Sequence, residues 1–179
     1  MLDPDIELRI AALKAQGVET TTAAPRAAWS LRLRPGRIDA AALAWGSPLP
    51  IEPLASLRSG NRWAACLGPD EWLLLAEAGD DAKALFDLQR QAPLSIVDIS
   101  DRETEWRIRG DAARQVLAAG CPLDLAEQAF PPNRATRTVF GQTEIILWRG
   151  EQAETWHFRA LRSYADHLTR HLAAVIANL

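Results

Sequence analysis

The segments WSLRLRPGRIDAAALAWGSPLP (29–50) and EWRIRGDAARQVLAAGCPLD (105–124) carry one pattern written twice. In each, a tryptophan opens a run that alternates apolar and charged or polar residues, as a half-buried strand does. An alanine-rich helical stretch follows, and a Gly-Ser-Pro-Leu or Gly-Cys-Pro-Leu turn ends it, glycine serving to stop the helix. Trp29 and Trp106 are 77 positions apart and Gly46 and Gly120 are 74 apart, the difference falling on the residues around Pro35-Gly36-Arg37. A duplication of this size constrains the fold strongly. A single half cannot bury its own sheet face well, so two halves must share the task.

The remaining elements repeat in the same order. RWAACLGPDEWLLLAEAG (62–79) reads as two strands about the turn Gly68-Pro69-Asp70, and TEIILWRGEQAETWHFRA (143–160) as two strands about residues 149–152. DAKALFDLQRQ (81–91), capped by Asp80 or Asp81, and SYADHLTRHLAAVIANL (163–179), capped by Ser163, read as closing amphipathic helices. The expected fold class is α+β: duplicated strand–helix–strand–strand–helix halves forming packed antiparallel sheets with outer helices. Asp3-Pro4 followed by Ile6, Ile10 and Leu13 predicts an N-terminal helix over 3–16, and the Thr/Ala/Pro-rich residues 18–27 read as a linker. The expected organisation is therefore a helix and linker over 1–25 and one duplicated domain over 26–179, with halves at about 26–92 and 93–179.

Charge narrows the function classes. The net charge is −3 with acidic and basic residues interspersed, which disfavours a nucleic-acid partner. The acidic, amphipathic N-terminus lacks the apolar core of a signal peptide. No apolar run reaches the roughly 18 residues of a membrane helix, so no membrane is expected and the cytoplasm is the default. Cys66 and Cys121 belong to no CxxC or Cys/His cluster.

Cys121 sits at a helix exit, where the backbone field disfavours a thiolate, so packing outweighs nucleophilic chemistry. His167 and His171 have the i, i+4 spacing that can place two imidazoles on one metal, but the residue after His167 is Leu168, and no third ligand stands out. His157 lies in a strand and reads as structural. Asp98, Asp101 and Glu103 cluster at a strand entry, where turn and capping roles are commoner than acid–base catalysis. AFPPNRATRTV (129–139) reads as a rigid connection presenting Arg134 and Arg137 to a partner. Seven tryptophans are many for 179 residues. Most belong to core strands, and one on an open face would suit an interface. The expected partner surface comprises Arg134, Arg137, Trp148, His167 and His171, with no catalytic, cofactor-binding or metal-binding residue in the chain.

LGPDEWLLL (67–75), SIVDISDRETEWRIRGDAARQVLAAGCPLDL (95–125), AFPPNRATRTVF (129–140) and RSYADHLTRHL (162–172) together resemble the gamma subunits of heterotetrameric sarcosine oxidase, in order over most of residues 26–175. VDIS followed by RIRGDAARQVL also resembles the folate-binding aminomethyltransferase (glycine cleavage T-protein) family, whose fold is itself a duplicated α+β arrangement. The resemblance implies a non-catalytic subunit of a complex that demethylates sarcosine to glycine, with hydrogen peroxide and, from tetrahydrofolate, 5,10-methylenetetrahydrofolate as products. It implies direct contact with the alpha subunit, beta and delta subunits in the same complex, and FAD, FMN, NAD, zinc and tetrahydrofolate held by those other subunits. It also implies that the isolated chain self-associates through a patch its partner normally covers. The alternative is a stand-alone folate-binding aminomethyltransferase-like protein. Against it, the stretch FGQTEIILW (140–148) offers only Glu144 where that family has a glycine-rich turn and an acidic pair.

Overall fold

A computed structural model describes residues 17–152 and 154–179. The helix expected over 3–16 lies outside the described residues. Ten strands, four α-helices and two short 3-10 turns are described, and the strands form two five-stranded antiparallel sheets.

The first structural unit is one continuous stretch, Pro25–Ser100, with Asn133–Ala135 added. Its elements are β2 (Ala27–Leu33), α1 (Ile38–Trp45), β3 (Ser56–Ser59), β4 (Arg62–Gly68), β5 (Glu71–Ala76), α2 (Lys83–Gln89) and β6 (Leu94–Asp98). Strand order is β3-β4-β5-β2-β6. The second unit holds residues 17–24, Asp101–Pro132 and Thr136–Leu179. It contains β1 (Glu19–Thr22), β7 (Glu103–Arg109), α3 (Ala113–Ala118), β8 (Ala135–Phe140), β9 (Thr143–Arg149), β10 (Thr155–Leu161) and α4 (Ala165–Ala177), in the order β1-β7-β10-β9-β8. Ala135, the first residue of β8, is counted with the first unit.

The two sheets have one topology. Trp29 of β2 stands opposite Leu74 of β5 and Asp98 of β6, and Trp106 of β7 stands opposite Phe158 of β10 and Thr22 of β1. The fifth strand of each sheet therefore has an equivalent, β6 in one and β1 in the other. In sequence each of these strands immediately precedes the strand of the other unit that carries Trp29 or Trp106: β1 leads to β2, and β6 leads to β7. The repeat is thus a strand–strand–helix–strand–strand–strand–helix segment whose first strand joins the other repeat's sheet.

Two expectations are corrected. Residues 18–27 are not a linker: Glu19–Thr22 form β1, and Ala27 already begins β2. The three threonines suit a short edge strand because their branched Cβ atoms pack on a pleated surface; four residues are too few to show a period. Leu94–Asp98 form a strand, β6, likewise not expected, and each repeat holds one further unexpected strand, β3 in one and β8 in the other. Both follow a proline-rich turn and are half-exposed at one sheet edge, so their sequences carry little apolar signal.

One face of each sheet packs on that unit's own helices. In the first unit Trp29, Leu31 and Leu33 of β2 and Trp72, Leu74 and Ala76 of β5 meet Ala41, Trp45 and Leu85. Trp29 and Trp45 cross edge to face with centroids 5.5 Å apart. In the second, Trp106 and Ile108, Leu147, Trp156 and Phe158 meet Val116, Leu117, Leu168, Leu172 and Ile176. Trp106 stacks on Phe158 at 5.0 Å and donates its indole N–H to Thr169 Oγ1 at 3.3 Å. A buried aromatic with its polar atom satisfied keeps its full apolar contribution. The unbroken apolar runs of β4 and β5 have a simple cause: Trp63–Cys66 and Trp72–Ala76 are buried residue after residue, hence on both faces.

The helix exits differ more than the repeat suggests. Gly46 has φ 70° and donates its N–H to Ala42 and Leu43, a left-handed stop for α1. Gly120 has no left-handed φ. A Cβ there would lie 2.8 Å from the Phe140 ring, so glycine is required for space. α4 likewise starts from a 3-10 turn, Arg162–Tyr164, with Tyr164 rather than Ser163 at its N-cap position.

Candidate functional site

The two thiols are core groups. Cys121 is 6% exposed among the residues of the second unit's core, and its Sγ lies 3.7 Å from Thr138 Oγ1. Cys66 is buried in β4 and donates to the Gly68 carbonyl at 3.1 Å. Burial pushes the Cys66 thiol above its ordinary range, and the bond to Gly68 opposes this. A thiol held protonated is not a poised nucleophile.

The carboxylates of 98–103 do not converge. Asp98 Oδ1 accepts the Ser100 N–H at 2.9 Å and the Ser100 hydroxyl at 2.6 Å, and that hydroxyl in turn accepts the Ala28 N–H at 3.0 Å. Asp98 is therefore a turn residue that ties the end of β6 to β2. Glu103 pairs instead with Arg102 at 2.6 Å and with Arg159 at 3.2 Å.

Glu103 belongs to a buried ionic row on the sheet face opposite the helices of the second unit. Arg159 of β10 is 3% exposed and stands opposite Glu105 of β7, while His157, two residues earlier, has its Nδ1 3.2 Å from Glu105 Oε1. Trp148 of β9 lies flat on the His157 ring, centroids 5.1 Å apart and planes within 6°. Burial pulls the Arg159 guanidinium below its ordinary value, while Glu103 and then Glu105 pull it back up and Arg102 pushes it down. The row neutralises itself: burying a paired charge is tolerable where burying an isolated one is not. Trp148, expected at a partner surface, is 2% exposed in the chain by itself.

The remaining expected surface residues lie just before β8, on β8 and on α4. Arg134 forms an antiparallel bridge with Ala55, so the predicted connection is partly strand. Arg137 lies on β8, 3.4 Å from the exposed Glu144 carboxylate. His167 and His171 are parallel within 5° with centroids 6.3 Å apart; His167 is exposed, and His171 meets the edge of Phe140 at 5.1 Å. The His171 Nε2 is buried without a hydrogen-bond partner, against Gly141, whose added Cβ would lie 3.2 Å away. An open groove of about 550 Å³ runs beside it between α3 and α4, walled by Gln115, Ala119, Ala174 and Val175. Among the described residues, no three His, Cys, Asp or Glu side chains gather as a metal would require. No helix among them is long and apolar enough to cross a membrane.

Sequence reasoning missed Arg149. It is 8% exposed in β9, lies 5.6 Å over the Trp156 ring, and donates to the Phe130 carbonyl at 3.4 Å, with Glu127 and Glu154 at 3.9 and 4.0 Å. It tethers the stretch around Glu127 and Phe130 to the sheet. The signal was available: an arginine at the end of the apolar run IILW, beside a tryptophan strand, is placed for cation–π stacking.

A duplicated pair of antiparallel sheets, each with its helices on one face, defines a class. The chain superimposes with TM-score 0.63 on the aminomethyltransferase T of the glycine cleavage system from Bartonella henselae, over 93% of its own length and 48% of that chain, at 12% identity. The fold is thus of the aminomethyltransferase kind. Residues 34–178 match the model of the sarcosine oxidase, gamma subunit family, and the chain belongs to that family. It is 36% identical over 146 residues to the sarcosine oxidase subunit gamma of Corynebacterium sp. (strain U-96), and 34% over 130 residues to that of an Arthrobacter species. These alignments take in 68% and 63% of the relatives' own lengths. The solved heterotetrameric sarcosine oxidase from Corynebacterium sp. U-96, in complex with pyrrole 2-carboxylate, contains a chain that matches with TM-score 0.87 at 28% identity, covering 97% of this chain and 92% of that one.

Proposed function

We propose that this chain is the gamma subunit of a heterotetrameric sarcosine oxidase and serves it as a folded, non-catalytic assembly subunit, bound directly to the alpha subunit. The complex converts sarcosine to glycine with release of hydrogen peroxide, and passes the one-carbon unit to tetrahydrofolate when that is present. FAD, FMN, NAD, zinc and folate reside in the alpha, beta and delta subunits, and the assembly is cytoplasmic. The observation that carries the reading is the match to the oxidase chain over nearly the whole of both molecules. The residues of this chain support it: its thiols are buried, its clustered carboxylates serve turns and ion pairs, and its ionic row is self-neutralised. Arg137 and His167 offer exposed polar contacts to a partner, whereas Trp148 and His157 stiffen the sheet behind them.

The test is co-expression of the tagged chain with alpha, beta and delta subunits of a sarcosine oxidase from the same cell. Recovery of all four with sarcosine-dependent peroxide formation is expected. A chain that returns alone, while the other three assemble into a fully active enzyme, would remove it from the complex.

A further inference from the structure

Leu43 is 85% exposed and Ile51 71%, the two most exposed large apolar side chains among the described residues. The fold does not require them. α1 buries Ala41 and Trp45, and α3, which follows the equivalent strand, buries Ala113 and Leu117 with the same spacing. Two positions after the first buried alanine stand Leu43 in one helix and Gln115 in the other, both exposed. Ala41 and Trp45 hold the inner side of α1, so packing of the helix on its own sheet does not call on Leu43.

The surroundings extend the feature. Ala40, Leu43, Gly46, Pro48, Ile51 and Pro53 are exposed along one stretch, and Glu52 is the single charge from Ala40 to Pro53. The stretch is held in place from below. Leu49 is buried, the Trp72 indole N–H donates to the Pro50 carbonyl at 2.7 Å, and Trp45 carries the Arg62 guanidinium 4.4 Å over its ring. A preformed apolar surface loses little conformational freedom on binding. At the start of α1, Arg34 and Arg37 are exposed and have no ion pair among the described residues. Arginine beside apolar residues, with few acids, is the composition of a protein contact.

We propose that the outer face of α1 and the 46–53 loop dock another subunit of the oxidase, through an apolar surface bordered by carboxylates that pair with Arg34 and Arg37. The proposal rests on the gamma-subunit reading above. Charge favours a different partner over a second copy, which would bring the same Arg34 and Arg37 to the contact rather than a border of carboxylates. Six residues at roughly 30–40 Å² each supply about 200 Å² a side, far below the roughly 800 Å² per partner of a stable contact. No partner would be held through this strip alone. It is the apolar centre of a contact whose charged border begins at the two arginines.

The experiment is co-expression of the tagged full chain with the other subunits of its oxidase, captured chains being identified by mass. Leu43→Asp with Ile51→Glu is expected to lower their recovery at least about tenfold, the effect of losing an interface anchor. Leu43→Gln, a polar change of similar size at an exposed helix position, guards against misfolding and should lower recovery several-fold. Arg34→Glu with Arg37→Glu should also weaken capture, and Gln115→Asp should leave it at wild-type level. Wild-type recovery with the soluble Leu43→Asp/Ile51→Glu chain would overturn the docking surface while leaving the subunit assignment intact. Failure of the wild-type chain to bring down any oxidase subunit would overturn the assignment itself, and the proposal with it. Concentration-dependent dimers that only the Leu43 and Ile51 variants abolish, with oxidase assembly unaffected, would give the surface to a second copy and overturn the proposal.

Discussion

Leu54 and Asn133 are the same residue of the two repeats, and each accepts a hydrogen bond from the other's strand: Ala135 N–H donates to the Leu54 carbonyl at 2.8 Å, and Ser56 N–H to the Asn133 carbonyl at 2.7 Å. Between these bonds Ala55 and Arg134 form an antiparallel bridge. Both residues follow a proline and have left-handed backbone, φ 70° and 65°. The reciprocal bonds pair the stretches that lead into β3 and β8, all within the first unit. Arg134 is consequently fixed by its backbone in a bridge, so the segment expected as a rigid connection is in part paired strand.

The left-handed turn at Asn133 yields a direct test. Asparagine tolerates that region, whereas a β-branched residue pays about 1–2 kcal/mol to enter it. Asn133 is exposed, so its side chain adds little packing. Asn133→Val should therefore destabilise the chain by about that amount in urea titration, and Asn133→Gly should be neutral or slightly stabilising. Equal stability of the valine and glycine variants would show that the turn relaxes freely.

Gly46 and Gly120 look interchangeable in sequence and should respond differently to alanine. At Gly46 the difficulty is backbone conformation, and the nearest atom to an added Cβ is the mobile Arg62 Nη1 at 3.4 Å. At Gly120 the added carbon would be 2.8 Å from two ring atoms of Phe140 and 3.0 Å from the Gly141 nitrogen. Gly46→Ala should cost about 1 kcal/mol and Gly120→Ala about 2–3 kcal/mol, with near-ultraviolet circular dichroism reporting displacement of the aromatic core only in the second. Similar losses at both sites would mean that the α3 exit can move away from Phe140.

These two glycines also show what could be read in advance. The duplication, the strands with Trp29 and Trp106, and the buried faces were legible because apolar period and repeated order report burial directly. The helix exits were recognised but their physical reasons were not, since a glycine needed for φ and one needed for space are the same letter. β1 escaped because it is short and because its partners on β7 are 84 to 90 positions away, outside any local window. The ionic row escaped for a related reason: Glu103, Glu105, His157 and Arg159 become neighbours only when β7 pairs with β10. Trp148 was recognisable as a strand tryptophan, but which face of its sheet is covered is a tertiary fact.

The pairing of Glu103 with Arg159 predicts non-additive energetics. Arg159 is 3% exposed, and removing it leaves Glu103 buried with Arg102 as its remaining cation. Arg159→Met should destabilise by about 3–5 kcal/mol, the usual effect of breaking a buried pair from one side. Glu103→Gln combined with Arg159→Met should cost less than the sum of the single changes, with a coupling of about 1–3 kcal/mol in a urea-based double-mutant cycle. Strict additivity would show that the two charges are solvated independently.

Cys66 gives the chain a defined alkaline sensitivity. Burial raises its thiol pKa in the folded state, so the folded chain retains a proton that the unfolded chain releases once pH passes the ordinary thiol range. A raised folded value means that the stability contribution is complete below about pH 8.5 and is lost progressively as pH climbs toward the folded value. Lysine and tyrosine also titrate there, so the informative quantity is the difference between the wild-type chain and Cys66→Ala. Alanine removes the thiol at every pH, which makes its packing loss a constant offset and leaves the slope to report the proton. The wild-type advantage should be constant from pH 6 to about 8 and then shrink as pH rises toward 10. Over the lower range Cys66 should also react with a thiol reagent only as fast as the first unit opens, because its Sγ is turned to the Gly68 carbonyl inside the sheet. A wild-type advantage that stayed constant to pH 10, together with immediate alkylation of Cys66, would show that the thiol is open to solvent.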